Sequence, residues 1–79
     1  MVHEYFASVK YKEGVELNNT EVTALGNLAQ NCGGSPYERA SNPCARLIAF
    51  TFPGKNQAEE FKRTSETLEK IALVRIGKM

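Results

Sequence analysis

Cys44-Ala45-Arg46-Leu47-Ile48-Ala49-Phe50-Thr51-Phe52 is the stretch whose reading decides the fold. It is continuously apolar or aromatic apart from Arg46 and Thr51, and it holds neither glycine nor proline. Pro43 and Pro53 bound it. A run of that length between two prolines predicts a strand buried on at least one face. Alternation gives it two faces, with Leu47, Ala49 and Thr51 on one and Arg46, Ile48, Phe50 and Phe52 on the other. A one-residue change of register exchanges them.

Upstream, Ser35–Pro43 is bracketed by the turn chemistry of Ser35-Pro36 and Ser41-Asn42-Pro43. Within it Tyr37–Ala40 is a candidate edge strand, where Pro36 would be tolerated, and a plain loop is the alternative. Before that, Asn18-Asn19-Thr20-Glu21 has the form of a capping box. Val22, Leu25, Leu28 and Cys32 then recur at helical spacing, with Ala24 and Ala29 widening the stripe. Gly33-Gly34 is the expected stop. Near the start, Glu4–Lys12 alternates: Tyr5, Ala7, Val9 and Tyr11 oppose Glu4, Phe6, Ser8, Lys10 and Lys12, which predicts a half-buried strand. Val15 and Leu17 make a short apolar pair after it.

Downstream of the central strand, Pro53-Gly54 turns the chain. Asn56-Gln57-Ala58-Glu59 repeats the capping pattern. Ala58, Phe61, Leu68, Ile71 and Ala72 supply a second helical stripe with Ser65 as a polar gap. Glu59/Arg63 and Glu66/Lys70 are spaced for ion pairs along it. Leu73–Ile76 is the last expected strand. Residues 1–79 thus read as one small α+β domain in the order strand, helix, weak strand, strong strand, helix, strand. That is the order of the ferredoxin-like plait, βαββαβ, with two helices over one face of an antiparallel sheet and the other face open.

The orientation of the central strand then decides what the open face offers. With Ile48, Phe50 and Phe52 toward the helices, three large side chains join the core, each worth roughly 1.5–3 kcal/mol of burial. This is the favoured orientation, because burial is the default for such residues. In the opposite orientation Ile48 and Phe50 lie on the open face beside Phe6. There, Arg46-Leu47-Ile48-Ala49-Phe50 is similar to the central-strand signature of the RNA recognition motif, and Tyr5-Phe6-Ala7 to its first-strand signature. The resemblance covers about a dozen residues and implies that Phe6 and Phe50 stack on bases and that Arg46 contacts phosphate. Leu47 stands at the signature's glycine, Ile48 at its first central-strand aromatic and Pro53 at its closing aromatic.

The remaining chemistry is sparse. His3, the sole histidine, sits in an N-terminus expected to be exposed, so neither Cys32 nor Cys44 has an evident base. No ligand spacing for zinc is present, and no metal or cofactor is expected. Gly54-Lys55-Asn56 lacks the upstream glycine of a phosphate loop and reads as a turn and cap. The two thiols are expected to be reduced, with a Cys32–Cys44 bridge as the alternative. The N-terminal MVHEYFASVKYK has neither a basic leader nor a signal core, and no apolar run approaches the roughly 20 residues of a membrane span. A cytoplasmic location without membrane contact is the expectation. The chain is 79 residues long, 42% hydrophobic and 24% charged, with a formal net charge of +1. Those values suit an ordinary globular domain and lack the footprint of a dedicated DNA-backbone binder. So short a chain gains from a partner subunit.

The sequence therefore predicts a non-catalytic protein-binding domain, an adaptor or an inhibitor of a larger protein or complex, with a second copy of the chain as another candidate partner. Phe6, Lys10, Tyr37, Arg39, Arg46, Phe50, Leu73 and Arg75 are the candidate contact residues. Single-stranded RNA on the open face is the alternative, using Phe6, Arg46 and Phe50 with Lys10 and Arg75 flanking.

Overall fold

The computed structural model describes residues 3–15, 18–42 and 45–79. Strand β1 (Tyr5–Tyr11), helix α1 (Asn19–Asn31), strand β2 (Ser35–Pro36), strand β3 (Leu47–Phe52), helix α2 (Lys55–Ser65) and strand β4 (Ile71–Lys78) follow in that order. The strands form one sheet ordered β2-β3-β1-β4, and every neighbouring pair is antiparallel. Each helix carries the chain past one intervening strand: α1 from β1 past β3 to β2, and α2 from β3 past β1 to β4. The α+β class is the one expected from the sequence.

The period of two in β1 is realised as read. Ala7, Val9 and Tyr11 are buried, while Lys10 between them is exposed. In β3 the favoured orientation is the one adopted. Phe50 and Phe52 face the core, 3% and 0% exposed, and Phe61 of α2 meets both rings at centroid distances of 5.3 and 5.2 Å. Leu25 and Ala29 of α1, Ala58 of α2, and Ile71 and Val74 of β4 complete the core, with Ile48 and Val15 packed at its margin. Leu17, paired with Val15 in the sequence reading, lies outside the described residues.

Helix α1 begins and ends as its caps dictate. The Asn18 side chain accepts the Glu21 N–H at 2.8 Å, and its amide in turn donates to the Glu21 carboxylate at 3.0 Å. At the other end Gly33, with φ +84°, donates to the Gln30 carbonyl, and Gly34 donates to that of Ala29. This is the paired hydrogen-bond pattern of a Schellman stop.

Four elements differ in extent from the sequence reading: α2, the weak strand, the central strand, and β4, which runs Ile71–Lys78 rather than Leu73–Ile76. Helix α2 starts at Lys55, capped by the Gly54 backbone rather than from Asn56, and it stops at Ser65. The Ser65 hydroxyl donates back to the carbonyls of Phe61 and Lys62, and the Thr67 hydroxyl to that of Thr64. Hydroxyls that compete for backbone carbonyls favour helix ends. Leu68 consequently leaves the expected stripe and is 47% exposed, and Ala72 is exposed in β4, while Ile71 is buried there. The ion pairs along the helix are Lys55–Glu59 and Lys62–Glu66, and Lys70 turns instead to Glu21 of α1.

The weak strand is Ser35–Pro36, not Tyr37–Ala40, because Glu38–Ala40 closes a single 3-10 turn. The central strand starts at Leu47, since Arg46 has φ +56°, incompatible with a pleated strand. Cys44 and Pro43, part of that reading, lie outside the described residues. Cys32 carries a free, half-buried thiol.

Candidate functional site

The helices pack on one side of the sheet only, so the alternate residues of β1, β3 and β4 form a second face with no helix on it among the described residues. Register fixes its rows. Phe6 is flanked by Thr51 and Gly77, Ser8 by Ala49 and Arg75, and Lys10 by Leu47 and Leu73. Phe6, Ser8, Lys10, Leu47, Leu73 and Arg75 line a shallow hollow there. No carboxylate lines it, and neither Lys10 nor Arg75 has an ion-pair partner among the described residues.

Phe6 lies down across the sheet. A Cβ added at Gly77 would stand 2.4 Å from its ring tip, so the glycine is what allows the ring to reach the edge strand. On the other side the Tyr37 ring is 6.4 Å away and tilted by 56°. The Tyr37 N–H donates to the Ala49 carbonyl at 2.9 Å, which anchors the loop that carries the ring.

Five of the expected contact residues therefore share the face or its border: Phe6, Lys10, Tyr37, Leu73 and Arg75. Arg39 is exposed on the 3-10 turn and does not line the hollow. Two expectations are corrected. Phe50 belongs to the core, because the adopted register turns it toward Phe61, and it offers no surface for a partner or a base. Arg46 precedes β3 in a positive-φ turn, half-buried with its Nε shielded from solvent, and it does not line the hollow.

His3 was expected to be exposed. It is half-buried, and its Nδ1 shares a 2.8 Å hydrogen bond with the Thr51 hydroxyl, which ties the N-terminal segment beside Phe6. Residue 3 precedes the alternating stretch, so nothing in the periodicity could announce this contact. Burial raises the Cys32 thiol pKa, with a further rise from the nearby Glu60 carboxylate, which favours the unreactive protonated form. Among the described residues no group of three metal-ligating side chains comes together, and no helix is long and apolar enough to cross a membrane. The sequence matches no protein-family model, and a comparison with curated proteins finds no similar one.

Proposed function

We propose that the chain is a non-catalytic protein-binding domain that receives its partner on the open face of a ferredoxin-like plait. The strand order β2-β3-β1-β4, with each helix passing one intervening strand, supports that fold name. The observation that carries the binding reading is the composition of the open face. Phe6, Leu47 and Leu73 lie among Lys10 and Arg75 with no carboxylate in the lining. An apolar patch rimmed by charge is the usual form of a contact surface. Its one-sided charge favours a partner whose matching surface is apolar and acidic.

Single-stranded RNA remains the second reading. It rests on Phe6 and Tyr37 as neighbouring rings flanked by Lys10 and Arg75, without Phe50 or Arg46. Immobilised wild-type chain and a Lys10→Glu/Leu73→Asp variant separate these readings. The proposal expects a discrete protein that the wild type retains and the variant loses, while Asn27→Ala on the exposed side of α1 leaves capture intact. Equal capture by all three chains overturns it. Capture abolished by ribonuclease transfers the assignment to RNA.

A further inference from the structure

The two edges of the sheet are finished differently. On the outer side of β3, backbone groups are taken up by the loop that follows β2. Tyr37 donates to the Ala49 carbonyl, the Ser41 hydroxyl accepts the Ala49 N–H, and Asn42 and Leu47 exchange both of their bonds. What then remains outermost is a two-residue strand containing Pro36, which has no N–H to offer. Edge closure of this kind blocks pairing with another chain.

The other edge is β4, eight residues long and without proline. Met79 donates to the Glu4 carbonyl. Alternation from that bond along the register turns the backbone of Gly77, Arg75 and Leu73 toward β1 and that of Val74, Ile76 and Lys78 outward. A register irregularity opposite Lys10/Tyr11 interrupts the strand near Ala72, leaving Leu73–Lys78 regular. Among the described residues no strand pairs with this outer side.

Beside that edge a groove runs between β4 and α2, lined by Lys55, Glu59, Lys62, Arg63, Glu66 and Arg75 along with Val74 and Ile76. Its two carboxylates are each matched to a lysine, Glu59 to Lys55 at 3.9 Å and Glu66 to Lys62 at 4.0 Å. Arg63 and Arg75 have no such match among the described residues, and neither does Lys78 at the end of the strand.

From the unpaired outward backbone and the surplus positive charge beside it, we infer that β4 accepts an extended acidic segment of a partner protein as a fifth, added strand. Main-chain bonds to Ile76 and Lys78, the outward-turned residues that are not buried, supply its affinity, and carboxylates toward Arg63 and Arg75 select it. Charge decides against a second copy as the occupant. Two β4 edges brought together would place the unmatched cations of both chains along one seam.

The inference concerns the sheet edge and is separable from the open-face reading, because Arg63 belongs only to the groove and Leu73 only to the hollow. The probe is an eight-residue peptide alternating valine and glutamate, with a valine–lysine peptide as the control. In the free chain the amides of Ile76 and Lys78 exchange with solvent readily. On titration with the acidic peptide they shift and become protected in NMR spectra, and binding weakens as salt rises. Arg63→Glu weakens it about tenfold, while Asn27→Ala on the exposed side of α1 leaves it unchanged. Outward amides already protected in the free chain overturn the inference, as does failure of the acidic peptide to bind or equal binding of the lysine control. Shifts confined to Ser8, Lys10 and Leu73 place the peptide on the open face and likewise overturn it. Concentration-dependent protection of the same amides without peptide assigns the edge to a second copy.

Discussion

On the covered side of the sheet, Phe50, Phe52 and Phe61 close on one another and exclude solvent. On the open side, Phe6 lies half-buried between Gly77 and Tyr37, and its neighbours Lys10, Leu73 and Arg75 reach outward. The same three strands supply both surfaces, and only the parity of a residue decides which it joins. One side is close-packed, so every atom removed there costs stability. On the other, Lys10, Leu73 and Arg75 retain their contacts with water, so stability constrains them less and they are free to serve a partner.

Truncating the covered side is the strongest way to test that contrast. Phe52→Ala and Phe50→Ala should each lower stability by about 3–5 kcal/mol, the usual cost of removing a core phenylalanine and leaving its cavity. Leu73→Asp, on the open side, should stay within about 0.5 kcal/mol of wild type. Urea unfolding monitored by circular dichroism measures both, read from the midpoint at constant slope. A Phe50→Ala chain as stable as Leu73→Asp would mean that the strand presents its other face.

A smaller effect probes how far the open side is itself packed. A strand glycine replaced by alanine usually gains about 0.5–1 kcal/mol. At Gly77 the new Cβ meets the Phe6 ring, so Gly77→Ala should instead cost about 1–3 kcal/mol, as overpacking does. In a Phe6→Ala background the obstacle is gone and the same change should be neutral or stabilising. The double-mutant cycle isolates the contact. Additive effects would show that Phe6 does not rest on Gly77 in solution.

Much of this architecture was legible because it rests on local rules. The alternation of Tyr5–Tyr11, the Asn18–Glu21 cap and the Gly33-Gly34 stop each specify their element without help from distant residues. The open-face residues Phe6, Lys10, Leu73 and Arg75 followed from the same alternation. What sequence reading missed depends on tertiary partners. The helical spacing of Leu68, Ile71 and Ala72 continues past Ser65, but the hydroxyls of Ser65 and Thr67 end the helix, and β1 recruits Ile71 as a strand residue. The two-residue β2 is held by its pairing with β3, and the Ser41 hydroxyl in the loop beyond it accepts the Ala49 N–H, which no periodicity can encode. Phe50 could be read on either face, because β3 carries apolar residues on both and one residue of register separates them.

The gentlest test of the contrast uses pH and two adjacent residues of β1. Lys10 points to the open side, whereas Tyr11 is buried on the covered side near Glu21. Burial chiefly, and then the Glu21 carboxylate, raise the Tyr11 phenol above its ordinary pKa of 10.0. The fold therefore favours the neutral phenol. Well below pH 10 neither the folded nor the unfolded chain ionises it, and the group adds no pH dependence. As pH rises above that value the unfolded chain releases the proton first, so it binds fewer protons than the folded chain and stability falls. The decline continues until the raised pKa of the folded state is passed. Tyr11→Phe removes this contribution, so its stability should fall less steeply than wild type above pH 10, with parallel curves below it. Urea midpoints between pH 8 and pH 11 give the comparison, and equal slopes above pH 10 would place Tyr11 in contact with solvent, erasing the difference between the two sides at this end of the sheet.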